Sequence, residues 1–187
     1  MEHVDAIYDK QSIQAMKQLL KKSSKRDYLL FVFGINTGLK ISEILTIKIE
    51  DILNKDHKIN AFYELHSEAK GTTFIYLNKN VQKAITSYLE STEYKMDDFL
   101  FKSSKTDKAI TRQQAYRIIS KAAETVGVVG NIGTQSMRKT FGYHAYKRGV
   151  AISLLQKLFN HASPSETLKY LGIDKKDKIK TEIDVDL

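Results

Sequence analysis

Three side chains near the end of the chain have the types and spacing to act on one phosphodiester: Arg138, His161 and Tyr170. They lie in the stretch TQSMRKTFGYHAYKRGVAISLLQKLFNHASPSETLKY, residues 134–170. A phenol has a pKa of about 10, so it attacks phosphorus only with a cation or a base beside it. An arginine fork holds the non-bridging oxygens of a phosphate through paired donors. A histidine donates to the same phosphate or moves a proton near neutral pH.

The surrounding sequence supplies elements to carry them. Arg138 is expected in the first turn of a helix, where free amides and the dipole favour an anion. His161 follows an apolar helix whose stripe is Ile152, Leu155, Leu158 and Phe159. Ser163-Pro164-Ser165-Glu166 reads as a helix start, with Ser163 as N-cap, Pro164 at the first helical position and Glu166 closing a capping box. Tyr170 then falls in the second turn of that short helix.

At these residues the chain resembles the tyrosine recombinases, or phage integrases, over their catalytic domain. The family's H-x-x-R, L-G-H-S-S and T-x-x-Y boxes correspond here to QSMR, FNHASPS and TLKY, and upstream NTGLKISEILTIKIEDI is similar to the family's TGLRISEL box. The matched boxes keep the family's order and spacing over most of the chain. The resemblance implies that Tyr170 forms a 3′-phosphotyrosyl link that conserves bond energy, so that neither metal nor ATP is required. It implies phosphate binding by Arg138 and His161, and a supporting role for Glu43. Lys70 resembles the family's β-hairpin lysine, which protonates the leaving oxygen; counting back from Phe74-Ile75-Tyr76-Leu77 puts that lysine closer to Glu68, so Lys70 fits only with a shortened turn.

Two positions depart from the family. Lys40 stands where it has its first arginine, and Gln135 where it has its first histidine. Lysine keeps the charge but loses the bidentate fork, and glutamine donates a hydrogen bond but cannot take up or pass on a proton. Family members also carry a separate N-terminal helical domain ahead of the first box. Only about 36 residues precede it here. The expectation is therefore one stand-alone catalytic domain over residues 1–187, without a core-binding domain, ending in a tail at 173–187.

Composition agrees with a globular, DNA-facing protein. A chain of 187 residues with 42% apolar content buries about two-thirds of its unfolded surface. There is no cysteine, which excludes disulfides, thiolate zinc sites and cysteine nucleophiles. No apolar run approaches the roughly 20 residues of a membrane span, and MEHVDAIYDK lacks the form of a signal peptide. The expected location is cytoplasmic. A net charge of +8 and a pI near 9.4 fit nucleic acid and fit a lysine-rich surface equally well. The motifs decide between them.

The periodicity predicts a mainly helical α+β fold with a small antiparallel sheet. Helices are expected over 12–22, over the nearly all-apolar Tyr28–Ile35, over Leu39–Ile47, over Asn80–Ser91, and from the capping box Thr111-Arg112-Gln113-Gln114 onward. Residues 58–77 alternate and are rich in aromatic and β-branched types, which predicts two or three short strands. Residues 92–110 read as a polar loop pinned to the core by Phe99-Leu100-Phe101.

The resemblance implies a recombinase that cleaves and rejoins duplex DNA during integration or excision of a mobile element. Another recombinase subunit or an accessory protein is the expected companion on DNA. The alternative is a catalytically weakened DNA-binding relative that regulates an active recombinase. A basic RNA-binding domain is disfavoured, because no interleaved stacking motif is present.

Overall fold

The computed structural model describes residues 4–67 and 71–173. In chain order its elements are α1 (Lys10–Ser23), α2 (Lys25–Thr37), α3 (Ile41–Ile44), α4 (Ile49–Ile52), β1 (Phe62–Ser67), β2 (Gly71–Tyr76), α5 (Lys79–Leu89), α6 (Arg112–Thr125), α7 (Thr134–Lys147), α8 (Ile152–Phe159) and α9 (Pro164–Leu171). The nearly all-apolar middle of α2 is the axis, with Leu29, Leu30, Phe31, Val32 and Phe33 buried and α1, α5 and α7 packed round it. A helical stretch that is apolar all round has no other stable place.

Local chemistry sets the helix ends. Asp9 caps α1 by accepting from the amides of Gln11 and Ser12. The box predicted at Thr111 forms in both directions: Gln114 N donates to the Thr111 hydroxyl at 3.1 Å and Thr111 N to Gln114 Oε1 at 2.8 Å. Gly38 ends α2 with φ +68°. A side chain there would adopt the left-handed conformation and also overlap the Phe141 ring.

One expected helix is broken. Leu39–Ile47 does not form a continuous helix; α3 and α4 are single turns separated by residues 45–48. The cause is non-local. Leu100 N donates to Ile47 O at 2.8 Å and Ile49 N to Asp98 O at 3.0 Å, so this backbone pairs with the 92–110 loop rather than with itself. That loop is anchored as expected, with Leu100 and Phe101 fully buried and the Phe101 ring edge-on to Phe33 at 5.9 Å.

The sheet among the described residues has two strands, in antiparallel register Phe62↔Tyr76 to Ser67↔Gly71. Tyr63 and Ile75 pair on the buried face, while Phe62, Phe74 and Tyr76 stay exposed. A satellite cluster of Leu155, Phe159, Leu171 and Ile173 seats α8 and α9 against Phe141 and Tyr143 of α7. This small cluster, rather than the main core, positions the helix that carries Tyr170. Apart from Ile173, the expected tail at 173–187 lies outside the described residues. Among the described residues no helix is long and apolar enough to cross a membrane.

Candidate active site

Arg138 is anchored before anything binds. It opens the second turn of α7, one turn later than its spacing suggested, because the helix starts at Thr134. Its side chain is only 8% exposed. Nη1 donates to Gly38 O, and Nη2 to Leu158 O at 3.4 Å. The guanidinium also lies over the Phe159 ring, with Cζ 4.5 Å from the centroid. Burial lowers its pKa from the ordinary value, opposed by Tyr170 and Glu43. A buried cation fixed by carbonyls and an aromatic face is preorganised to receive an anion.

The loop after α8 fixes His161 by its backbone. Asn160 takes the left-handed conformation with φ +60°. His161 N then donates to Gln156 O at 3.1 Å, and Gln156 Nε2 donates to His161 O at 3.2 Å. The imidazole Nδ1 lies 3.0 Å from the fully buried Thr167 hydroxyl, which itself donates to Ser163 O at 3.3 Å. The Thr167 hydroxyl thus bridges Nδ1 and Ser163 O; a neutral ring that donates to it from Nδ1–H keeps a lone pair on Nε2. Burial lowers the His161 pKa below its ordinary value; Glu166 opposes this and the Arg138 charge reinforces it.

Tyr170 sits on α9, whose cap differs by one residue from the expected box. Glu166 N donates to Ser163 Oγ at 3.1 Å, but the Glu166 carboxylate accepts from Ala162 N at 2.7 Å. The Tyr170 ring meets His161 edge-on at 4.9 Å and Phe159 at 5.5 Å. Burial raises the phenol pKa, while the charge of Arg138 and its hydrogen bond pull it back. Lys139, 8% exposed, places Nζ 5.0 Å from the Tyr170 ring centroid and 2.6 Å from Val4 O, tying the N-terminal segment to the tyrosine helix.

Arg138, His161 and Tyr170 line one cleft of about 340 Å³ together with Lys40, Gln135 and Arg112. Lys40 and Gln135 are exposed on its rim. Glu43 reaches back from α3 to accept from Lys40 N at 2.7 Å, which fixes the turn that presents Lys40. Lys70 lies outside the described residues. Sequence reasoning passed over Thr167, Lys139 and Arg112. Thr167 was within reach, because it stands four residues after Ser163 and three before Tyr170; the other two depend on contacts far apart in sequence.

The phage integrase family model matches residues 6–177. The chain is 43% identical over 174 residues to "Probable integrase/recombinase YoeC" of Bacillus subtilis (strain 168), covering 93% of this chain and 92% of that one. It is 25% identical to tyrosine recombinase XerC of Thermodesulfovibrio yellowstonii over 85% of this chain, yet spans only 54% of that protein. In fold it is similar to the crystal structure of XerA recombinase, with a TM-score of 0.75 at 19% identity over 93% of this chain and 61% of the other. A post-cleavage complex of XerH bound to palindromic difH substrate gives a TM-score of 0.71 at 19% identity, over 93% and 51%. The chain belongs to the phage integrase family of site-specific DNA recombinases.

Proposed function

We propose that this chain is a DNA strand-transferring recombinase domain in which Tyr170 is the nucleophile, acting on duplex DNA in the cytoplasm during integration or excision of a mobile element. The observation that carries the reading is the convergence of Arg138 from α7, His161 from the loop after α8 and Tyr170 from α9 on one cleft. In the step proposed, the Tyr170 oxygen bonds to phosphorus and the 5′-oxygen–phosphorus bond breaks. The DNA 3′ end is left on the enzyme, and the leaving oxygen takes up a proton. Arg138 holds the non-bridging oxygens, while Glu43 keeps the turn of Lys40 in place. Lys70 is our candidate for the leaving-group acid. We read residues 1–187 as one such domain, with a second recombinase subunit or an accessory protein beside it on DNA.

His161 is the proposed proton acceptor. A phenol whose pKa is raised by burial needs a base, and Gln135 cannot take up or pass on a proton. Among the residues lining the cleft, only histidine changes charge near neutral pH without help. Because its folded pKa lies below the ordinary value, His161 is neutral and competent at pH 7. Adduct formation should therefore rise with pH to a plateau, with its midpoint below about 6.5. A rate that falls as pH rises from 6 to 8 would assign the protonated ring the active role instead. Thr167→Val should lower the plateau by about tenfold, and Thr167→Ser, which keeps the hydroxyl, should restore most of it. Equal rates in both variants would remove Thr167 from the positioning of His161.

The two departures should limit cleavage rather than folding. Arginine at 40 returns two parallel donors, and histidine at 135 returns a group that moves a proton. The double variant Lys40→Arg, Gln135→His should form covalent adduct on nicked duplex at least about tenfold faster than wild type. Thermal stability should change little, since both side chains are exposed. A wild type already as fast would make Lys40 and Gln135 competent substitutes. Tight DNA binding without an adduct from either protein would transfer the assignment to a regulatory DNA-binding role.

A further inference from the structure

The cleft contains an arginine that belongs to none of the matched boxes. Arg112 is the first residue of α6 and lines the cleft together with Lys40, Arg138 and Tyr170. Its position follows from packing. Arg112 and Tyr116 are four residues apart and share a face of α6. The Tyr116 ring lies against Gly133, where an added Cβ would stand 2.7 Å from Cε2. Gly133 is the N-cap of α7. The first turn of α6 is thereby held beside the first turn of α7, which carries Gln135 and leads into Arg138.

The local structure does not need the Arg112 side chain. The cap of α6 is completed by Thr111 and Gln114, and Arg112 is exposed. A cation at a helix N-terminus is mildly unfavourable, because the dipole there is positive; an anion arriving at the same place reverses the sign. Lys40, Arg112 and Arg138 all line the cleft, and no carboxylate is among its described lining residues. Only two of these cations carry the planar fork suited to phosphate, and the fork of Arg138 is already partly committed to Gly38 O and Leu158 O.

We propose that Arg112 supplies the paired phosphate donors that Lys40 cannot, acting as a second catalytic arginine of the cleft. This rests on the strand-cleavage reading above. Its role is to neutralise charge that develops on the non-bridging oxygens as Tyr170 attacks. The fork of Arg112 and an arginine at position 40 are then partly redundant, which gives the proposal a specific signature.

The test measures covalent adduct formation on a pool of randomised, randomly nicked duplexes, with duplex affinity measured in parallel. In the wild-type background Arg112→Lys should slow adduct formation by about 30-fold or more, with affinity changed by less than about threefold. In the Lys40→Arg background the same substitution should cost no more than about threefold, because coupled groups are non-additive. Equal losses in both backgrounds, or a loss confined to affinity, would make Arg112 an ordinary backbone contact and overturn the proposal. If no variant forms a Tyr170-dependent adduct, the strand-cleavage reading fails, and inorganic phosphate reads the anion site without chemistry. Phosphate should then raise the melting temperature of wild type and not of Arg112→Gln. Equal protection of both proteins would overturn the role of Arg112 independently.

Discussion

Tyr170→Phe should abolish covalent attachment to DNA while leaving duplex binding and the fold intact. The substitution removes one oxygen. The Tyr170 ring packs edge-on against Phe159 and His161 and under the Lys139 ammonium, and phenylalanine keeps all of these faces. What is lost is the bond-forming atom. The rate should fall to the background of the assay, and the melting temperature should stay within a few degrees of wild type. The one compensating effect is at Arg138, which loses its phenol partner; phosphate affinity should rise slightly rather than fall. Persistent adduct in Tyr170→Phe would assign the nucleophile to another residue.

Arg138→Gln should be the next most damaging change, and damaging in two separable ways. The guanidinium is the preorganised anion receiver, held by Gly38 O and Leu158 O over the Phe159 ring. Removing one such donor typically costs 10²–10³ in rate, so losing the whole fork should reduce adduct formation by on the order of 10³-fold. Duplex affinity should fall far less, because phosphate contacts along the backbone share that work. Stability should also drop. Gly38 O, which is buried, loses its side-chain donor at about 1–3 kcal/mol, and the part-buried Leu158 O loses a weaker one. The loss of rate should persist at temperatures where the variant is fully folded. A variant that folds and cleaves at near wild-type speed would remove Arg138 from the chemistry.

The parts of the site that were legible in the sequence are those encoded locally. Ser163-Pro164 announces α9, Thr111 with Gln114 announces α6, and the 3.6-residue stripe of Leu155 and Phe159 announces α8. Each depends on side chains within one or two turns. The break between α3 and α4 was not legible, because its cause is the pairing of Ile47 and Ile49 with Leu100 and Asp98 across some fifty residues. The same limit hid the surroundings of the catalytic candidates. That Arg138 bonds Gly38 O, 100 residues away, or that Lys139 reaches both Val4 O and the Tyr170 ring, depends on packing rather than pattern. Arg112 was visible as part of a cap, but long-range packing, with Tyr116 seated on Gly133, brings it to the cleft.

The central claim is that Tyr170 becomes joined to a DNA 3′ phosphate. It is tested most directly by trapping wild-type protein on a pool of randomly nicked duplexes, denaturing, digesting with protease and nuclease, and sequencing the nucleotide-bearing peptide by mass spectrometry. The predicted result is a single modified peptide with a 3′-nucleotide on Tyr170, absent from Tyr170→Phe. A nucleotide on any other residue, or stable DNA binding with no modified peptide in wild type or in Lys40→Arg with Gln135→His, would contradict it.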